Sequence, residues 1–125
     1  MTIQYHFINL EYLYKMGDAD REFISAMIQE FIRVVPAYID ELKKSISNND
    51  SKGVHFFAHK LKSSVDILGA QKLSNASLEI ANLFADTNQL PDQLAISKLN
   101  SLELIFEETK KELFSELATI NPINN

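Results

Sequence analysis

A chain of 125 residues is the size of one ordinary domain, and 46% hydrophobic against 23% charged residues supplies a core and excludes a disordered composition. With 12 Lys and Arg against 17 Asp and Glu the net charge is −5, which argues against a surface built to grip nucleic-acid phosphates. Cysteine is absent, which removes disulfides and thiolate metal sites, and three Gly and three Pro are too few turn residues for a many-stranded sandwich or barrel.

The opening residues Met1 to His6 lack a basic stretch followed by an apolar one, so no signal peptide is expected. No apolar run approaches the ~20 residues of a membrane span. The expectation is a cytoplasmic, monomeric, single domain over residues 1–125, without nucleic-acid or membrane partners.

In chain order, Phe7 to Met16 is apolar and ambiguous between helix and strand; the helical character of the rest favours a short helix. Gly17 and Asp18 break the chain, with Asp18 expected to cap the next helix through its carboxylate. From there Phe23, Ile24, Met27, Ile28, Phe31, Val35, Tyr38, Ile39, Leu42 and Ile46 recur at three- and four-residue steps, the stripe of a long amphipathic helix. Pro36 lies inside it and predicts a kink or short break. Ser47 to Ser51 is a turn that offers several caps. A third helix is predicted from about Lys52 to Leu68, stopped by Gly69. A fourth runs from Ala70 to about Ala85 with Leu73, Ala76, Ile80, Leu83 and Phe84 on one side. After a turn at Asp86 to Pro91, the last helix, about 92–119, carries Ala95, Leu99, Leu102, Phe106, Leu113, Leu117 and Ile120. Short connections and this spacing predict an all-α, antiparallel up-and-down helical bundle.

At ~100° per residue, Val54, Phe57, Ala58, Leu61, Val65 and Leu68 gather on the core side of the third helix. Lys52, His55, His59, Lys62, Ser63 and Asp66 lie opposite or flank that sector, so His59 is expected to face solvent. Lys62 and Ser63 follow His59 by three and four residues and are its neighbours on the helix surface. Phe56 and Ile67 also fall outside the core sector; either another helix covers them or they form an apolar patch beside His59. An outward imidazole is a nucleophile when neutral, and a free imidazole titrates near ~6.5. The Lys62 ammonium can offset charge on a transferred group. Small Ser63 leaves room for an anion and can donate a hydrogen bond.

These residue types leave several readings open. A His beside a Lys on an exposed helix face is commonly no more than a solvated surface. His55 and His59 have the i, i+4 spacing of helical zinc ligands, but Phe56 follows His55, so the H-E-x-x-H motif fails, and no third ligand is evident. Gly17, Gly53 and Gly69 are isolated and form no phosphate-cradling loop. Glu103, Glu107, Glu108, Lys110, Lys111 and Glu112 read as a solvated helix face. Tyr12, Tyr14 and Phe23 read as packing residues, and His6 has no evident partner.

The run Ala58-His59-Lys60-Leu61-Lys62-Ser63-Ser64, followed by Leu68-Gly69-Ala70, Leu73 and Leu78-Glu79, closely resembles the signature of histidine phosphotransfer (HPt) domains. Gly17-Asp18, the stretch from Phe31 to Pro36 and Asp50 resemble further features of that family. The likeness covers most of residues 8–86, and the last helix matches in pattern only. It implies a four-helix bundle with an added N-terminal helix, His59 as phosphoacceptor and Lys62 as the residue that neutralises the phosphoryl group. The family usually has Gly where this chain has Ser63, and some members place a Gln on the next helix where this chain has Ala81, beside Asn82.

By that resemblance the chain is a phosphocarrier of a multistep two-component phosphorelay, without ATP binding or autophosphorylation. Its expected partners are response-regulator receiver domains and a hybrid sensor histidine kinase. No cofactor of its own is expected, because the receiver supplies the Mg2+. Lys52, His55, Phe56 and Lys60 are the expected docking residues around His59, and no metal site is expected. The alternative is a helical interaction module that docks a receiver or kinase without carrying phosphate.

Overall fold

The computed structural model describes residues 4–83 and 92–121. Five helices occur among them: α1 (Glu11–Met16), α2 (Arg21–Ser47), α3 (Ser51–Asp66), α4 (Gln71–Asn82) and α5 (Asp92–Ile120). No strand occurs among the described residues. The expected turn at Asp86 to Pro91, and Phe84 and Ala85 at the end of the expected fourth helix, lie outside them.

Helices α2 to α5 form a closed ring in which α2 packs on α3 and α5, and α4 packs on α3 and α5. The directions alternate. Ser25, near the start of α2, accepts a 2.6 Å hydrogen bond from Asn121, just past the end of α5. Lys43, near the end of α2, pairs with Glu103 in the first half of α5 at 3.0 Å. The interior is the predicted one: Ile24, Ile28, Phe31, Val35, Ile39, Leu42 and Ile46 from α2 meet Val54, Ala58, Leu61 and Val65 from α3. Leu73 and Ile80 from α4 and Ala95, Leu99, Leu102, Phe106 and Leu113 from α5 complete it. Burial of these apolar faces stabilises the bundle more than helix propensity does.

Local chemistry sets the helix boundaries, and several depart from expectation. Asp20, not Asp18, caps α2, accepting from the backbone N–H of Glu22 at 2.9 Å and of Phe23 at 3.4 Å. Asp18 and Ala19 are left-handed, with φ of 54° and 57°, so the chain is still turning at Asp18 and first reaches cap geometry two residues later. Phe23 leaves the core stripe and is 37% exposed, because it lies against the Gly17 turn, where a Cβ would come within 2.3 Å of its ring. Tyr12 is likewise exposed. Pro36 does not interrupt α2. One backbone donor is lost there, but Val35 and Ile39 on either side are buried, and their packing outweighs the ~3 kcal/mol that an internal proline costs.

Asp50 caps α3 by accepting from Gly53 N–H at 3.0 Å. Gly53 permits this closure, since a Cβ there would sit 2.5 Å from both the Asp50 carboxylate and the Ser45 hydroxyl. The helix ends at Asp66, two residues short of expectation, and the turn closes at Gly69 with φ of +59°. Gly69 is doubly required. Its backbone conformation suits glycine, and a Cβ would lie 2.2 Å from the Asn9 carbonyl oxygen. The segment before α1 crosses the bundle end here, with Asn9 N–H donating to Leu68 O at 3.0 Å. Ile8 and Leu10 from this segment and Leu13 from α1 are buried, and the helix expected over 7–16 is a non-helical crossing segment followed by six helical residues.

Candidate functional site

Helix α3 presents His55, His59, Lys62 and Asp66 on one outward stripe, at steps of three or four residues. All of them lie in helical backbone whose opposite face is packed into the core, so the stripe has a rigid base. His59 is exposed, as expected, and so is Ser63 one turn further on. The rings of His55 and His59 meet edge to face, with centroids 4.4 Å apart and planes at 65°. Lys62 is 32% exposed along its side chain, and its ammonium pairs with Asp66 at 2.9 Å. This pair was not anticipated, although the i, i+4 spacing of Lys62 and Asp66 carries it.

Asp66 also faces Ser74 across the α3–α4 contact. Partial burial raises the pKa of its carboxyl, but the Ser74 hydroxyl and the hydrogen bond and charge of Lys62 outweigh that, and its acidity rises above that of an ordinary aspartate. The Ser74 hydroxyl is fully buried and makes no well-formed hydrogen bond. It is near enough to favour the charged carboxylate without completing a bond to it.

The flank of the stripe toward α2 is apolar and cationic. Phe56 is 55% exposed and edge-on to Phe57, with centroids 5.0 Å apart. The Lys60 ammonium lies 5.4 Å from the Phe56 ring centre and 5.5 Å from that of Tyr38 on α2, within cation–π range. Ile67 is half-buried against the core, so of the two apolar residues outside the core sector only Phe56 forms a patch. Lys52 and His55 are exposed on the preceding turns. Tyr38 joins this surface through tertiary packing and carries no sequence signal for it. Ala81 is fully buried in the core, while Asn82 is exposed. Among the described residues, no three or more His, Asp or Glu side chains converge as metal ligands, and no helix is long and apolar enough to cross a membrane.

The charged face of α5 proves not to be wholly solvated. Glu112 accepts from the backbone N–H groups of His6 at 3.0 Å and Phe7 at 2.7 Å. Glu116, which sequence reasoning passed over, accepts from the hydroxyls of Tyr5 at 2.8 Å and Tyr14. Burial and the Glu116 bond raise the pKa of both phenols, most of all that of Tyr14. These carboxylates clamp the N-terminal segment onto the bundle, and they give His6 a partner through its backbone. Tyr14 is thereby a packing residue with a polar anchor, whereas Tyr12 and Phe23 are exposed. Glu107–Lys110 and Glu108–Lys111 are the surface pairs that remain on that helix face.

The site thus combines an exposed imidazole on a helix, an ammonium one turn along and an aromatic-cationic flank. The Hpt domain family model matches residues 26–117, and the chain belongs to that family. The match begins beyond Gly17 and Asp18, and it takes in most of α5, the helix that sequence reasoning matched in pattern only. No curated protein and no solved structure matches the chain significantly. Membership assigns the chain to histidine phosphotransfer in phosphorelays, as a phosphocarrier module rather than an enzyme in the ordinary sense, working with receiver domains of two-component systems.

Proposed function

We propose that His59 accepts a phosphoryl group from the phosphoaspartate of one receiver domain and passes it to the aspartate of another. The observation that carries this reading is the outward imidazole at residue 59, on a helix anchored by its opposite face, within the family's sequence signature. The neutral ring attacks phosphorus through Nε2. The N–P bond forms as the P–O bond to the donor aspartate breaks, the carboxylate leaves with its electron pair, and the proton on Nδ1 stays or passes to water. The reverse sequence on a second receiver restores the free ring.

Positioning and charge compensation supply most of the rate in such a step. Lys62 offsets the negative charge on the phosphoryl oxygens, and Ser63, small and exposed, admits the group and can donate to it. The receiver supplies the Mg2+, and this chain needs no cofactor and binds no ATP. Phe56 and Lys60 dock the receiver, with His55 and Lys52 on the turns before; exposed aromatics beside a cation are common anchors of protein interfaces. The chain works as a cytoplasmic monomer fed by a hybrid sensor kinase.

The test is transfer from a 32P-labelled cognate receiver, with the family's phosphorelay partners as donors. Wild-type chain should take up acid-labile label, and His59→Gln should take up none. Label persisting in the variant would overturn the assignment of His59. Lys62→Ala should slow transfer about tenfold, equivalent to ~1.4 kcal/mol, and an unchanged rate would remove its role.

A further inference from the structure

We propose that Asp66 is a resident competitor for the Lys62 ammonium, holding it before phosphorylation and yielding it, in exchange for the Ser74 hydroxyl, when a phosphoryl group arrives on His59. This inference rests on the reading of Lys62 given above. It adds a positioning residue that acts through that lysine rather than on the reacting atoms.

Three observations point to it. Lys62 is engaged by Asp66 at 2.9 Å and lies one helical turn from each of His59 and Asp66, on the side between them, so the same ammonium serves the carboxylate or an anion on His59. Asp66 is the last residue of α3, where a negative charge opposes the helix dipole, so helix stability does not account for it. Its carboxyl also stays ionised to lower pH than usual. Finally, the buried Ser74 hydroxyl lacks a well-formed partner while lying beside Asp66. An unsatisfied buried hydroxyl is unfavourable, and a carboxylate released by Lys62 can turn to it.

The exchange keeps every charged group partnered in both states. In the free protein the pair is Lys62 with Asp66. In the phosphorylated protein Lys62 faces the phosphoryl oxygens, and Asp66 accepts from Ser74. The ion pair is half-exposed and therefore weak, which suits a contact that must be given up. Its expected effect on transfer is correspondingly small.

Removing the carboxylate tests this. Asp66→Asn, with Asp66→Ala as a second removal of the charge, should raise the rate of transfer onto His59 about two- to fivefold, in the range of a half-exposed ion pair. Asp66→Glu, which restores a carboxylate, should lose that gain. The gain should also vanish in the Lys62→Ala background, so that Lys62→Ala/Asp66→Asn transfers at the rate of Lys62→Ala alone. Circular dichroism melting of each variant identifies any that misfolds; a purely structural role for Asp66 would move the melt without this dependence on Lys62. A wild-type rate or a slower one for both charge-removing variants, with Lys62→Ala still slow, would overturn the inference and leave Lys62 in its role. A gain that persists without Lys62 would also overturn it. Lys62→Ala at the wild-type rate would instead remove the reading on which the inference stands.

Discussion

The bundle end crossed by the N-terminal segment and the outward stripe of α3 are built from similar residue types and held in different ways. At the bundle end, Glu112 and Glu116 reach residues more than 100 positions away, Gly69 receives the Asn9 backbone, and Ile8, Leu10 and Leu13 are buried. On the stripe, Lys62 finds its partner four residues along the same helix, and the His59 ring meets that of its neighbour His55, one turn back. Long-range contacts of buried groups stabilise the fold and are costly to break. Local contacts of exposed groups contribute little and can be exchanged.

That contrast predicts graded effects on stability. Gly69→Ala should be the most damaging, by about 2–4 kcal/mol, since it combines backbone strain with displacement of the Asn9 crossing. Urea denaturation measures it, and a loss below about 1 kcal/mol would show that the crossing segment adapts easily. Glu116→Ala strands two tyrosine hydroxyls and should cost about 1–3 kcal/mol by the same measurement; a neutral result would mean that water replaces the carboxylate.

Alkaline pH sharpens the same end of the comparison. The Tyr14 phenol is held protonated above its ordinary value of 10.0, while in the unfolded chain it ionises near that value. The folded state therefore keeps a proton that the unfolded state releases. This contribution to stability is full below about pH 10 and is lost as pH rises above it. Wild type should lose stability between about pH 9 and 11 more steeply than Tyr14→Phe, and parallel profiles would discount the phenol–carboxylate bond. Tyr5, raised in the same sense, leaves a residual slope in the variant. The smallest effect belongs to the stripe: His59→Gln should shift the melting temperature by no more than about 2 °C while abolishing labelling. A large shift would mean that the stripe is part of the scaffold.

The site was more legible than the scaffold that surrounds it. His59, Lys62 and Ser63 share one helix face, and periodicity alone puts that face opposite Val54, Ala58, Leu61 and Val65. The Lys62–Asp66 pair was within reach of the same reasoning. Tyr38 beneath Lys60 was not, since the two belong to different helices. Asp18 and Asp20 are both competent caps in sequence, and only the turn geometry, with Asp18 and Ala19 left-handed, selects Asp20.

The sequence by itself determined what depends on repeat and proximity along the chain: the four bundle helices, most of their apolar stripes, and an imidazole facing away from the core. Tertiary structure decided what depends on which surfaces meet. It turned Glu112 and Glu116 from surface charges into a clamp, left Phe23 over Gly17 outside the core, carried α2 through Pro36, and placed Ser74 beside Asp66. The physical reason is range. Helical periodicity is a backbone property set within a few residues, whereas the partner of a polar side chain is set by burial and distance in three dimensions, where residues 5 and 116 are neighbours.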